Sequence, residues 1–155
     1  MQIQSQAFMR WQLPLEDQLH GESAIAPSNF RILIVNEDMR SADSLKHTLH
    51  DLGYFTTLTA YSAHRALLAV EDFAPAVALL DLELPDMTGY QLARRLRSHL
   101  SSRVRQVPLL AVAELQLLSN SELTRAAGFL GCLAKPVEPD ALNALLALLQ
   151  SRPFS

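Results

Sequence analysis

Residues 76–89 read Ala-Val-Ala-Leu-Leu-Asp-Leu-Glu-Leu-Pro-Asp-Met-Thr-Gly, and this stretch decides the fold. The apolar run from Val77 to Leu80 has no polar alternation, which is typical of a strand buried on both faces of a parallel sheet. Pro85, Asp86 and Gly89 are turn residues, so we expect the strand to end near Asp81. Ligands of open α/β sheets bind beyond the carboxyl ends of the strands. Asp81 is therefore a candidate functional residue, although a lone aspartate at such a place is also a common loop residue.

Length, composition and charge limit the class of protein. The chain has 155 residues, a formal net charge of −3 and 49% hydrophobic residues, which predicts one domain with a substantial core. The acidic balance does not favour nucleic-acid binding, and no apolar stretch is long enough to span a membrane. Cys132 is the only cysteine, and the N-terminus lacks the basic-then-apolar order of a signal peptide. These features predict a cytoplasmic protein.

Residues 1–29 differ from the rest and are predicted to be an N-terminal extension. Ile3, Ala7 and Trp11 have helical spacing, but Pro14 would end such a helix. The extension is either a mobile tail or a segment that docks through Phe8, Trp11 and Leu15. We expect residues 30–150 to form the domain and residues 151–155 a short tail. Because so few residues follow position 150, output would pass through a partner protein or through a domain outside this chain.

Predicted strands and helices alternate from residue 30 onward. We predict strands at 31–35, 54–59, 76–81, 107–112 and 129–134, and helices at 41–52, 63–70, around 91–97, 119–127 and 141–149. Residues 101–106 are predicted to form a loop, and Arg94, Arg95 and Arg97 to lie on the outer face of the third helix. This order predicts an α/β fold, a doubly wound parallel sheet of five strands with helices on both faces.

Polar residues follow the first, third and fifth predicted strands. These are Asn36-Glu37-Asp38, Asp81 and Lys135. Right-handed crossovers can bring these three strand ends together at one edge of the sheet. Several carboxylates and one ammonium suit a divalent cation and a phosphoryl group: Mg²⁺ prefers oxygen ligands, and a carboxylate can become an aspartyl phosphate. Lys135 would stabilise the oxygens of the transferring group.

These residues resemble the receiver domain of two-component response regulators, over about residues 30–150. The likeness is carried by Ile-Leu-Ile-Val followed by acids, by Leu-Leu-Asp81-Leu-Glu-Leu-Pro85-Asp-Met-Thr-Gly89-Tyr and by Ala-Lys135-Pro136. The resemblance implies a flavodoxin-like fold with strand order 2-1-3-4-5. It implies that Asp81 is the phosphoacceptor and that Lys135 contacts the phosphate. It also implies that Mg²⁺ is bound by Glu37, Asp38, Asp81 and the backbone carbonyl of Glu83.

Several positions depart from the pattern of that family. Asn36 and Glu37 stand where two acids are usual, so we expect weaker Mg²⁺ binding, or a rearrangement that uses Asp38. Ala113 replaces the usual Ser or Thr after the fourth strand and cannot hydrogen-bond a phosphoryl group. Glu114 follows it and would place a negative charge near that group. Cys132 stands at the position of the usual switch aromatic, where a small buried hydrophobe is expected.

Three functions are compatible with this pattern. The first is a receiver that takes a phosphoryl group from a histidine kinase or phosphotransfer protein and signals to a downstream protein. This reading includes no binding to nucleic acid or membrane, and it allows the chain to form a homodimer. The second is a pseudo-receiver, in which the same fold acts as an interaction module independently of phosphorylation. The third is a haloacid-dehalogenase-like phosphatase, with Glu83 as the second acid after Asp81. That class usually carries its nucleophile after the first strand and has a cap domain, so we expect a regulatory domain rather than a turnover enzyme.

Overall fold

A computed structural model describes residues 8–10, 29–119 and 121–150 of the chain. It contains strands β1 (Phe8–Arg10), β2 (Ile32–Val35), β3 (Thr57–Ala60), β4 (Val77–Asp81), β5 (Leu109–Ala113) and β6 (Gly131–Ala134). The α-helices are α1 (Met39–Asp51), α2 (Ala63–Phe73), α3 (Gly89–Arg97), α4 (Ser102–Arg105), α5 (Ser121–Ala126) and α6 (Pro139–Gln150), and a 3-10 helix spans Leu115–Ser119. The predicted α/β class is confirmed.

The six strands form one sheet in the order β1-β6-β5-β4-β2-β3. Strands β2 to β6 are parallel to one another and are the five predicted strands, so the predicted order 2-1-3-4-5 is confirmed. The sixth strand, β1, was not predicted. It pairs antiparallel with β6, with Phe8 opposite Leu133 and Arg10 opposite Gly131. The predicted helical spacing of Ile3, Ala7 and Trp11 lies outside the described residues, as do the docking roles of Trp11 and Leu15.

Helices cover both faces of the sheet, which explains why its central strands are apolar throughout. Every residue of β2, β4 and β5 is buried. Leu33, Leu80 and Leu92 belong to the core cluster on the face of α2 and α3, whereas Ile34, Leu79 and Leu145 belong to the cluster on the face of α1 and α6. A strand between two such layers has no solvent-facing side and needs no polar alternation.

Two predictions about residues 94–106 are wrong. The predicted loop contains the short helix α4. Arg97 does not lie on a solvated outer face, because its guanidinium donates to the carbonyl oxygens of Arg105 at 2.8 Å, Val107 at 2.7 Å and Gly128 at 2.8 Å. Burial lowers the pKa of Arg97. Its side chain thus joins the end of α3 to the segments on either side of β5.

Among the described residues, no helix is long and apolar enough to cross a membrane.

Candidate functional site

Strand register brings the predicted site residues to one edge of the sheet. Val35 pairs with Leu80, so Asn36 and Asp81 end neighbouring strands. Asp81 in turn pairs with Val112. On the next strand Ala113 pairs with Ala134, and the Lys135 N–H donates to the Ala113 carbonyl at 2.9 Å. The carboxyl ends of β2, β4, β5 and β6 therefore form a single crevice, as expected for an open α/β sheet.

Asp81 and Lys135 form an ion pair within this crevice. Lys135 Nζ lies 2.6 Å from Asp81 Oδ2, although the two residues are 54 positions apart in the sequence. The Asp81 side chain is only 4% exposed and that of Lys135 is 25% exposed. Asp81 Oδ1 accepts a hydrogen bond from the Glu83 N–H at 2.9 Å. Each carboxylate oxygen therefore has a donor, and the charged pair is short and well oriented.

The loop after β2 holds the other predicted acids. Asn36 is buried, and its Oδ1 accepts from the Asp38 N–H at 2.9 Å, so its amide fixes the turn. Asp38 is the N-cap of α1: its Oδ1 accepts from the Arg40 N–H at 3.1 Å and its Oδ2 from the Ser41 hydroxyl at 2.9 Å. The hydrogen bond from the Ser41 hydroxyl is the main cause that lowers the pKa of Asp38, and the hydrogen bond from the Arg40 N–H is the second. Glu37 lies between these residues and is exposed.

These positions provide few oxygen ligands for a cation. In the described ranges, no group of three or more His, Cys, Asp and Glu side chains comes together in a way that could hold a metal. Asp38 accepts one hydrogen bond at each carboxylate oxygen from the start of α1, and its coordination of a cation in place of the missing acid stays a prediction. Glu37 and Asp81 remain as carboxylates, and the Glu83 side chain is exposed. Mg²⁺ can be bound by one or two carboxylates if it keeps several waters, so this donor set fits a weak Mg²⁺ site.

The segment between β4 and α3 is held firmly behind Asp81. The Leu82 N–H donates to the Val112 carbonyl at 3.2 Å, and the Gly89 N–H donates to the Leu82 carbonyl at 2.9 Å. Asp86 reaches across to the start of α2, where its oxygens accept from the N–H groups of Ala63 at 3.0 Å and His64 at 2.8 Å. The hydrogen bond from the His64 N–H is the main cause that lowers the pKa of Asp86.

Two signals in the sequence would have revealed the local structure around the site. Thr88 and Gln91 form a capping box, because the Thr88 hydroxyl accepts from the Gln91 N–H and the Gln91 side chain accepts from the Thr88 N–H. The spacing Thr-x-x-Gln before a helix indicates this motif. An aspartate before a helix, such as Asp38, is similarly a common N-cap.

Two of the atypical positions lie on the strands beyond β4: Ala113 ends β5, which pairs with β4, and Cys132 lies on β6, one strand further. Ala113 and Cys132 are each 1% exposed, and both belong to the core cluster on the face of α2 and α3. Glu114 is exposed at the mouth of the crevice. A groove of about 480 Å³ opens there, lined mainly by residues of α1 and of the loops after β2, β5 and β6. Its polar lining includes Asn36, Arg40, Glu114 and Lys135.

Comparisons with known proteins agree with this geometry. The sequence profile of the response regulator receiver domain matches residues 32–147. Virulence sensor protein BvgS of Bordetella pertussis is 31% identical over 122 residues, which are 76% of this chain but 10% of that protein. Response regulator Rre1 of Synechocystis is 26% identical over 121 residues, or 78% of this chain and 52% of that protein. A putative response regulator from Chloroflexus aurantiacus superposes with a TM-score of 0.73 at 29% identity, covering 79% of this chain and 98% of that structure.

Proposed function

Because the chain belongs to the response regulator receiver domain family, we propose that it accepts a phosphoryl group on Asp81. The donor is a histidine kinase or a phosphotransfer protein, and the signal passes on through protein contacts. The observation that carries the proposal is the ion pair of Asp81 with Lys135, 2.6 Å apart at the carboxyl edge of a parallel sheet. A carboxylate in this position can act as a nucleophile toward phosphorus.

The reaction would run as follows. One oxygen of the Asp81 carboxylate attacks the phosphorus of a phosphohistidine, the bond from phosphorus to the imidazole nitrogen breaks, and its electron pair returns to the imidazole. The phosphoryl group brings a charge of about −1.5 to −2. Because Lys135 Nζ lies next to the Asp81 carboxylate, its ammonium can also contact the phosphoryl oxygens and stabilise their negative charge.

A Mg²⁺ ion would be held by the carboxylates of Glu37 and Asp81 and the backbone carbonyl of Glu83, with waters completing its shell. When bound, it would neutralise part of the charge on the phosphoryl oxygens. Asn36 is neutral and its oxygen is used by the Asp38 N–H, so we propose a weaker site than one with two acids in this loop.

The two lysines of the chain provide a matched test of Lys135. Lys46 is exposed on α1 and Lys135 is at the site. We expect Lys135→Ala to slow phosphorylation by acetyl phosphate by about 10²-fold, the usual effect of losing a donor that stabilises a charged transition state. Lys46→Ala should leave the rate unchanged. Equal rates for wild type and Lys135→Ala would remove Lys135 from the site.

The pseudo-receiver is the second candidate, and the burial of Ala113 and Cys132 favours it. Moving a population from 1:99 to 99:1 needs about 5.5 kcal/mol of differential binding. A hydrogen bond to a charged group contributes roughly 1.5–3 kcal/mol, and Ala113 cannot make the one that a hydroxyl would provide. We therefore infer that phosphorylation changes the residues after β5 only slightly, and that partner binding carries more of the regulation.

Amide NMR shifts with and without beryllofluoride, which mimics an aspartyl phosphoryl group, test this second candidate. We expect large shifts at residues 81–89 and small ones across residues 113–135. Shifts of similar size in both ranges would show that another device transmits the signal despite Ala113. The phosphatase alternative is tested by phosphate release from a phosphomonoester, since a receiver releases none catalytically.

A further inference from the structure

None of the arginines in residues 87–113 belongs to the proposed phosphoryl site. This range contains five of the 13 basic residues and none of the 16 acidic ones. The rest of the chain therefore has a formal net charge of −8. The arginines are Arg94, Arg95, Arg97, Arg103 and Arg105.

Three of these guanidiniums are available to a partner. Arg97 and Arg105 donate to backbone carbonyls and have structural roles. Arg94, Arg95 and Arg103 are exposed and, within the described part of the chain, form neither an ion pair nor a side-chain hydrogen bond. Arg94 and Arg95 also line a hollow of about 360 Å³ with Gln91, Met87 and Asp86. Gln91, Arg94 and Arg95 have the i, i+3, i+4 spacing that places residues on one face of a helix.

An exposed leucine lies on the loop that follows α3, three residues after its last residue, Arg97. Leu100 is 97% exposed, the highest value among the exposed large hydrophobic residues of the described chain. Arg105 donates to the carbonyl oxygens of His99 at 2.8 Å and Leu100 at 3.1 Å, and the Ser101 N–H donates to His99 Nδ1 at 3.0 Å. These three hydrogen bonds restrain the loop, which reduces the entropy that binding would cost.

We propose that Gln91, Arg94, Arg95 and Leu100 form a docking surface for an acidic, amphipathic segment of a protein partner, whereas Arg103 lines a separate hollow with Glu71. Carboxylates of the segment would pair with the free guanidiniums, and an apolar side chain would cover Leu100. Interface patches are enriched in arginine, and an exposed leucine can pack against an apolar side chain of a protein segment but not against a phosphate backbone. The rest of the chain, with its formal net charge of −8, would repel an extended polyanion. This inference names the partner class of the proposed receiver and rests on that proposal.

The test titrates the full chain with a fluorescent peptide of glutamates and leucines at helical spacing. We expect amide NMR shifts within residues 91–105 and binding that weakens as salt is added. Arg94→Glu with Arg95→Glu should lower the affinity about tenfold or more, and Leu100→Ser should lower it about threefold. The matched control compares Lys46→Glu with Arg95→Glu alone, because each changes the net charge by −2 and α1 lies on the opposite face of the sheet. Lys46→Glu, alone or combined with Asp43→Lys, should leave the affinity within about twofold.

Besides the absence of binding, two results would overturn the inference. The first is an equal loss for the arginine and Lys46 variants, which would indicate a general charge effect. The second is a DNA duplex or an anionic vesicle that binds more tightly than the peptide and also depends on Arg94 and Arg95. Phosphorylation by acetyl phosphate is measured on every variant. Normal phosphorylation with no docking refutes only this inference, whereas docking without phosphorylation of the wild type refutes the proposed function.

Discussion

Gly89→Ala tests how tightly the segment behind Asp81 is packed. A Cβ atom at Gly89 would lie 2.5 Å from the carbonyl oxygen of Asp81 and 2.8 Å from the Cα of Leu82. Both are main-chain atoms of the segment that carries the proposed phosphoacceptor, so neither can rotate away. The segment is also fixed by the hydrogen bond of the Gly89 N–H to the Leu82 carbonyl.

Two effects of opposite sign compete in this variant. Alanine is a better helix former than glycine by up to about 1 kcal/mol, and Gly89 is the first residue of α3. Overpacking a well-packed region costs about 1–3 kcal/mol. Because the contacts are far shorter than van der Waals distance, we expect the second effect to dominate and Gly89→Ala to be destabilised by roughly 1–2 kcal/mol. The shifted Asp81 backbone should also slow phosphorylation, since a misplaced reacting group can lose up to about 10²-fold in rate.

Urea unfolding measures the free energy change, and phosphorylation by acetyl phosphate measures the effect on rate. The control compares the stabilities of Arg94→Ala and Arg94→Gly. Because Arg94 is exposed in the same helix, the difference between these two variants reports helix propensity alone. There the alanine variant should be more stable by about 1 kcal/mol. A Gly89→Ala protein at least as stable as wild type, with an unchanged phosphorylation rate, would refute the reasoning.

Three further predictions concern other parts of the chain. The hydrogen bond from the His64 N–H holds the pKa of Asp86 in the folded state below the usual value of an aspartate, so the stabilising effect of the ionised carboxylate is present above the usual value and is lost as the pH falls through the lowered pKa. Urea unfolding of Asp86→Asn should show lower stability at neutral pH and a weaker loss in acid, and an unchanged acid profile would contradict this. Asn36→Asp should tighten Mg²⁺ binding measured by NMR, and unchanged binding would remove this loop from the metal site. Successive N–H groups of a strand point to opposite sides, so replacing both Phe8 and Met9 with proline removes one that faces β6. Hydrogen exchange of the β6 amides that face β1 should then accelerate, and unchanged exchange would show that β1 does not protect them.

The five-stranded sheet could be predicted because each central strand is a short apolar run closed by turn residues or acids. Val77 to Leu80 is the clearest example, and its burial on both faces follows from that pattern. The strand order depended on the family resemblance, since periodicity alone does not fix which strands are neighbours. Strand β1 was missed because its three residues, Phe8–Arg10, are too few to show a period. Pairing with β6 is a tertiary interaction that local sequence does not encode.

The candidate site was predictable in its members but not in all their roles. The approach of Asp81 to Lys135 follows from strand ends and register, and the sequence placed both residues there. The capping role of Asp38 does not follow from a helix predicted to begin at residue 41, because the helix in fact begins at Met39. Helical periodicity predicts the Arg97 side chain on the outer face of the helix. Its position is instead determined by hydrogen bonds to backbone carbonyl groups up to 31 residues away in the sequence. Such contacts are set by how the helices pack, so the sequence of one helix cannot reveal them.

The phosphorylation of Asp81 is the central claim, and intact mass measurement tests it most directly. The full chain and Asp81→Asn are each incubated with acetyl phosphate and Mg²⁺. The account predicts that the wild-type protein gains the mass of one phosphoryl group and that Asp81→Asn gains none, because an amide is a far weaker nucleophile than a carboxylate. A wild-type protein of unchanged mass, or an equal gain in Asp81→Asn, would contradict the account.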